Sequence, residues 1–140
     1  MFLKVCLFLM YLQLSTMAFT LPPVVTFDDV FKLKDDPNVL IIDVREPSEL
    51  QETGSIPRSI NIPLNDVESV LKDLPNNEFE EKYGRTKPDF NFPIIFSCRS
   101  GKRAGQALEI AKNLGYKNLS NYKGSWLDWA QHIKEMERKE

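Results

Sequence analysis

Two continuous apolar runs constrain the fold of this chain more than any other feature of its sequence. Val39-Leu40-Ile41-Ile42 and Pro93-Ile94-Ile95-Phe96 contain no polar residue. A strand with one face in water alternates apolar and polar residues, so runs without alternation are typical of strands buried on both faces. Such strands indicate a parallel sheet that is covered by helices on both sides.

Helical patterns lie between these runs. Thr26 and Asp29 form a capping box ahead of an amphipathic segment that ends at Asp36-Pro37. Pro47 is placed to begin a second helix and Gly54 to end it. Alternation of strands with helices predicts an α/β fold, with a small parallel sheet flanked by helices on both faces.

Weaker signals complete the expected element order. Ser125 is predicted to cap the last helix, with Asp128 as its capping-box partner. Short strands are expected over residues 60–62 and 119–122, and other helices over residues 65–71, over residues 76–83 and from Arg103 onward.

Composition excludes several classes of protein. The 140 residues are the length of one domain, and the formal net charge is −2. A chain so balanced has no global field for nucleic acid, so any anion site must be local. One histidine and two cysteines are too few for a structural zinc site of about four ligands. We therefore expect no metal site. We also expect no cofactor.

Residues 1–18 have the layout of a secretory leader. A basic residue precedes the apolar run Val5–Leu12, and small residues precede a cleavage site at Phe19. The run is too short to cross a bilayer, which takes roughly 20 apolar residues. We expect a leader over residues 1–18, a single domain over residues 19–140 and a place in the secretory pathway. The alternative is translation from Met17, which would leave a cytoplasmic or mitochondrial protein.

The segment Cys98-Arg99-Ser100-Gly101-Lys102-Arg103 joins the second apolar run to a helix. Open α/β sheets bind ligands at the carboxyl ends of their strands, and amides at a helix N-terminus bind anions. Gly101 allows a turn with positive φ, and three cations strengthen the local positive potential. These features favour the thiolate of Cys98. The alternative is a small buried cysteine with charges that merely face solvent.

Three kinds of thiolate chemistry can be compared on residues alone. A Cys–His hydrolase needs an imidazole, and the only histidine, His132, lies in the polar part of the last predicted helix. A redox pair needs a Cys-x-x-Cys motif, which is absent. Attack on a bound anion remains, so sulfur transfer and phosphate-ester hydrolysis are the leading hypotheses.

Four segments, in this order, resemble single-domain rhodaneses, the thiosulfate sulfurtransferases. They are Asp43-Val44-Arg45, residues 54–63, the loop from Cys98 to Arg103, and Gly124-Ser125-Trp126. The stretch over residues 79–88 further resembles the small thiosulfate:glutathione type and its insect heat-shock-locus relative. The resemblance covers nearly all of the expected domain and implies a rhodanese fold. Family members usually have histidine where Ser55 stands and often a small residue at Arg58, and we expect this to alter packing or charge rather than activity.

The resemblance also implies a mechanism. Cys98 would take the outer sulfur of thiosulfate as a persulfide and pass it to a thiol such as glutathione, or to cyanide. The loop would bind the donor and the persulfide through its amides, its cations and a serine hydroxyl, which makes the substrate-binding residues Arg99, Ser100, Gly101, Lys102 and Arg103. A small-molecule sulfur donor and a thiol acceptor are therefore the expected partners. Asp43 and Arg45 are expected to form a structural charge pair at a strand end.

Two alternatives stay open. Phosphatase relatives of the rhodaneses have five residues between the cysteine and the arginine, whereas Cys98 and Arg103 are separated by four, which favours sulfur transfer. The second alternative is a persulfide-carrying or regulatory binding module with little turnover, which the full basic loop disfavours.

Overall fold

A computed structural model describes residues 19–140, so the leader expected over residues 1–18 lies outside the described residues. The strands are β1 (Val24–Val25), β2 (Leu40–Asp43), β3 (Ile60–Asn61), β4 (Ile94–Ser97) and β5 (Leu119–Tyr122). They pair in parallel, in the order β1-β5-β4-β2-β3. The two apolar runs thus form neighbouring strands at the centre of the sheet, and the predicted parallel sheet is confirmed.

Helices cover both faces of this sheet. They are α1 (Phe27–Leu33), α2 (Pro47–Thr53), α3 (Val67–Asp73), α4 (Asn76–Tyr83), α5 (Lys102–Asn113) and α6 (Ser125–Arg138). Leu40 and Ile42 of β2 pack in one hydrophobic cluster with α3, α4 and α5, whereas Ile41 packs in a second cluster with α1 and α6. Alternate residues of one strand therefore enter different cores, which is why the run has no polar position.

The predicted helix ends are largely confirmed. In the capping box, the amide of Thr26 donates to the Asp29 carboxylate at 2.9 Å, and the amide of Asp29 donates to the Thr26 hydroxyl at 3.4 Å. Pro47 is the first residue of α2, and Gly54 ends this helix with a φ of 85°. Because these devices are local, neighbouring residues suffice to predict them.

Several boundaries differ from the prediction. β2 and β4 each run one residue further than their apolar runs, because Asp43 and Ser97 still pair in register. Val39 lies outside β2, and the ladder begins where Leu40 donates to the carbonyl of Pro93. The helix expected over residues 65–71 is split into a 3-10 turn at Leu64–Asp66 and α3.

The predicted cap of the last helix is wrong. Gly124 is the N-cap of α6, and Ser125 is its first residue, with a φ of 54°. The Ser125 hydroxyl donates to the carbonyl of Tyr122 at 2.7 Å and accepts from the amide of Cys98 at 3.0 Å. The Asp128 carboxylate accepts from the Tyr122 hydroxyl at 2.6 Å. The two side chains of the predicted capping box thus accept hydrogen bonds from the Cys98 amide and the Tyr122 hydroxyl instead. A buried polar group without a partner is costly, so these donors need an acceptor.

The carboxyl ends of β2, β4 and β5 meet at one edge of the sheet. This edge carries Arg45, the loop from Cys98 to Arg103 and the start of α6. Parallel strands therefore gather three segments that are far apart in sequence. Within residues 19–140, no helix has both the length and the apolar character needed to cross a bilayer.

Candidate active site

Cys98 lies directly after β4 and is buried, with 1% of its surface exposed. Its Sγ accepts a hydrogen bond from the amide of Gly101 at 3.0 Å. Gly101 is the N-cap of α5 and has a φ of 96°, so the turn predicted at this glycine is confirmed. The sulfur consequently lies at the N-terminal end of a 12-residue helix, where the helix dipole favours negative charge.

The neighbours of Gly101 leave no room for a side chain at this position. A Cβ atom at this position would lie 2.3 Å from the carbonyl oxygen of Lys123, closer than any side chain tolerates. The carbonyl of Gly101 accepts from the side-chain amide of Asn121 at 3.3 Å. The loop is therefore packed closely against β5 and the connection to α6.

The start of α6 holds the backbone of Cys98 at both of its polar groups. The amide of Cys98 donates to the Ser125 hydroxyl at 3.0 Å, and the Cys98 carbonyl accepts from the amide of Trp126 at 2.9 Å. The Ser125 hydroxyl also lies 3.8 Å from Sγ. Sequence reasoning missed this role of Ser125, although the segment Gly124-Ser125-Trp126 belongs to the resemblance and follows the end of a predicted strand.

The loop cations differ in their surroundings. Arg103 donates to both carboxylate oxygens of Glu49, at 2.7 and 2.8 Å. These bonds lower the pKa of Glu49 to about 2, and they raise the pKa of Arg103. Arg99 and Lys102 are exposed, and neither forms an ion pair within residues 19–140.

The structure therefore places the five predicted binding residues in three settings. Gly101 touches the sulfur, Arg103 joins α5 to α2, and Arg99, Ser100 and Lys102 face solvent around the loop. Glu49 was missed at the sequence level. An acidic residue on a short helix has many surface roles, so its position carried no specific signal.

Asp43 and Arg45 form the structural pair expected from the sequence. Both are buried, and the Arg45 guanidinium donates to the Asp43 carboxylate, with a shortest distance of 2.7 Å. Arg45 also donates to the Thr53 hydroxyl and to the carbonyl of Gly54, at 2.8 and 3.1 Å. Its guanidinium lies 5.0 Å from the centre of the Trp126 ring. The pair thus links the end of β2 to α2 and to α6.

A cavity of about 380 Å³ opens between α2 and the start of α6, next to the loop. We call it the α2–α6 cavity. Arg99 lies at its loop end, and Arg45 also contributes to its lining. Side chains of the two helices form its walls, with Glu49, Glu52 and Thr53 from α2 and Trp126 and Leu127 from α6.

The side chain of His132 makes its contacts with Asp128 and Phe27 and not with the sulfur of Cys98. Its Nδ1 is hydrogen-bonded to the carbonyl of Asp128 at 2.8 Å and lies 3.2 Å from the Asp128 carboxylate. The hydrogen bond to the Asp128 backbone and the nearby carboxylate raise the pKa of His132. Its ring stacks on Phe27 of α1, with a centroid distance of 4.3 Å. Among the described residues, no imidazole lies within hydrogen-bond distance of Cys98.

The two departures from the rhodanese pattern lie outside the loop. Ser55 and Arg58 are exposed, and Arg58 has a φ of 66°. The Arg58 guanidinium donates to the carbonyl of Asp35 at 3.2 Å. The arginine thus gains a surface contact, at a backbone conformation that glycine would adopt more easily.

Comparison with known proteins identifies the family. The family model described as a rhodanese-like domain matches residues 26–132. A rhodanese domain-containing protein of Drosophila melanogaster is 51% identical over 106 residues, which cover 76% of this chain and 95% of the relative. The chain belongs to the rhodanese-like family.

Other relatives are named as sulfurtransferases. A thiosulfate:glutathione sulfurtransferase of Saccharomyces cerevisiae is 44% identical over 109 residues, which cover 76% of this chain and 77% of the relative. The solved structure of a human single-domain sulfurtransferase has a TM-score of 0.71 at 31% identity and covers 79% of this chain and 96% of its own. Two yeast relatives are named as mitochondrial.

Proposed function

We propose that this protein is a thiosulfate sulfurtransferase that works through a persulfide on Cys98. The observation that carries the proposal is the hydrogen bond from the amide of Gly101 to Sγ, at 3.0 Å, at the N-terminus of α5. Preformed donors that face a buried sulfur stabilise negative charge there without reorganisation during the reaction. Thiosulfate, with its two negative charges, is attracted by the exposed cations Arg99 and Lys102.

In the first step, the Cys98 thiolate attacks the outer sulfur of thiosulfate. A new S–S bond forms to Sγ, and the S–S bond of thiosulfate breaks. The electron pair of the broken bond leaves with sulfite, and Cys98 becomes a persulfide. No general base is needed when the attacking group is already a thiolate, which agrees with the engagement of His132 elsewhere.

In the second step, a thiolate acceptor of the glutathione type attacks the outer sulfur of the persulfide. The bond between Sγ and the outer sulfur breaks, and its electron pair returns to Sγ as the Cys98 thiolate. The acceptor leaves as a persulfide, or as thiocyanate when cyanide is the acceptor. The loop amide that faces Sγ stabilises this leaving thiolate.

Intact-mass spectrometry tests the covalent step. Wild-type protein incubated with thiosulfate and then desalted is expected to gain one sulfur atom, and to lose it on addition of glutathione. Cys98→Ser keeps the size of the side chain and is expected to gain nothing. An adduct on the serine variant, or none on the wild type, would contradict the proposal. Repeated turnover distinguishes an enzyme from a persulfide-carrying binding module.

The location of the protein in the cell depends on the first residues. We propose that the apolar run before Phe19 directs the chain to the secretory pathway. A start at Met17 would instead allow a cytoplasmic or mitochondrial place. N-terminal sequencing of protein purified from its native cells distinguishes Met1, Met17 and Phe19 as first residues, and Phe19 is the result expected for a cleaved leader.

A further inference from the structure

The α2–α6 cavity adjoins the cysteine loop through Arg99 and Trp126. Cys98 is buried, so a second substrate reaches its outer sulfur only from the solvent side of the loop. Arg99, the next residue in the chain, is part of the cavity lining, and the amide of Trp126, another lining residue, donates to the carbonyl of Cys98 at 2.9 Å. The cavity therefore borders the backbone of the cysteine. Its volume, about 380 Å³, is within the range of small-molecule sites.

Most polar groups in the walls of this cavity are committed to partners within the protein. Glu49 is held by Arg103, and Arg45 is held by the Asp43 carboxylate. The Trp126 ring is held in turn, because Arg45 lies 5.0 Å from its centre. These walls are therefore preorganised, and a ligand that enters does not have to break an existing ion pair.

Two charges of the cavity remain available. Glu52 of α2 and Arg99 of the loop are exposed, and neither forms an ion pair in the described part of the chain. Trp126 and Leu127 add an apolar wall, and Leu127 is 49% exposed. The cavity thus offers one anion, one cation and an apolar surface next to the cysteine loop.

We propose, on the basis of the proposed function, that this cavity selects acceptor thiols of the amino-acid type. Glu52 binds the ammonium group of the acceptor, and Arg99 binds its carboxylate after sulfite has left. The aliphatic part of the acceptor packs on Trp126, which directs the thiolate towards the persulfide of Cys98. A thiol with only a carboxylate satisfies one of the two charges, and a neutral thiol satisfies neither.

The second half-reaction tests this specificity. Protein is loaded with thiosulfate and desalted, and the rate of persulfide loss is measured with glutathione and with 3-mercaptopropionate, which has no ammonium group. Glu52→Gln is expected to lower the ratio of the two rate constants about fivefold, the size of one charge-assisted hydrogen bond at a partly exposed site. Glu52→Lys is expected to lower the ratio further.

Glu81→Gln is the matched control, because it removes the same charge from an exposed position of α4 that lies outside the cavity. Its ratio is expected to equal that of the wild type. An unchanged ratio in Glu52→Gln, or an equal fall in the control, would overturn the inference. If the wild type forms no persulfide at all, the proposed function itself fails and the inference fails with it, so the two failures are distinguishable.

Discussion

The guanidinium of Arg103 and the carboxylate of Glu49 form a two-point ion pair, at 2.7 and 2.8 Å, that joins α5 to α2. The pair fixes the last residue of the cysteine loop against one wall of the α2–α6 cavity. Planar guanidinium and carboxylate groups match in this arrangement, so it adds geometric precision as well as energy. Arg103 therefore shapes the loop, whereas Arg99 and Lys102 remain exposed and form no ion pair within residues 19–140.

This ion pair predicts a pH-dependent stability. The hydrogen bonds from Arg103 lower the pKa of Glu49 from 4.5 to about 2. A carboxyl with a depressed pKa stabilises the fold above its unfolded pKa, and the contribution is lost as the pH falls through the folded pKa. Glu49→Gln is expected to lower the free energy of unfolding by about 1 kcal/mol at neutral pH, a value reduced by solvent exposure. Denaturation at several pH values should show the difference shrinking between pH 4.5 and pH 2. A difference independent of pH would show that the pairing is not its source.

Two substitutions of Ser125 are expected to have similar effects on the rate of persulfide formation but different effects on stability. Both Ser125→Ala and Ser125→Gly remove the hydroxyl that accepts from the amide of Cys98 at 3.0 Å, so both are expected to slow persulfide formation. The φ of 54° favours glycine, so Ser125→Gly is expected to be about 1 kcal/mol more stable than Ser125→Ala. Thermal denaturation and stopped-flow rates measure the two effects separately. A fully active glycine variant would remove the role assigned to the hydroxyl.

A side chain at Gly101 is expected to clash with its neighbours, and a substitution at a second glycine, Gly84, serves as the control. A Cβ at Gly101 would lie 2.3 Å from the carbonyl oxygen of Lys123, and the φ is 96°. Gly101→Ala is therefore expected to lose about 2 kcal/mol or more of stability, together with most persulfide formation. Gly84 also has a positive φ, but open space surrounds it, so Gly84→Ala is expected to cost only about 1 kcal/mol and to remain active. Equal losses in the two variants would contradict the packing argument.

Replacement of His132 is expected not to change the rate of persulfide formation. Its ring is stacked on Phe27 and bonded to Asp128, and it makes no contact with the sulfur. His132→Asn is therefore expected to leave the rate of persulfide formation unchanged from about pH 5 to pH 9, the range in which histidine and cysteine ionise. Stopped-flow measurement of the first half-reaction decides the point. An ionisation near neutrality that disappears in the variant would indicate a base that the structure does not place there.

The elements that follow local rules were predictable from the chain alone. The apolar runs that contain Ile41 and Ile95 form central strands, since each strand must fill two cores at once. Thr26 and Asp29 cap the start of α1, as expected, and α2 begins at Pro47 and has Gly54 as its C-cap. These devices are predictable because caps involve only near neighbours. The position of Cys98 between a strand and a helix predicted a sulfur at a helix N-terminus, and Gly101 predicted the turn around it.

The sequence by itself therefore determined the two central strands, the start of α1, both ends of α2 and the position of the cysteine loop, whose causes lie within a few residues of one another. Only the tertiary structure decided which partners the polar side chains would take. The Ser125 hydroxyl accepts from the amide of Cys98 instead of capping α6. Arg103 forms an ion pair with Glu49, and the guanidinium of Arg45 lies over the ring of Trp126. The physical reason is that each of these contacts joins distant segments at one sheet edge, where burial demands a partner and several partners compete.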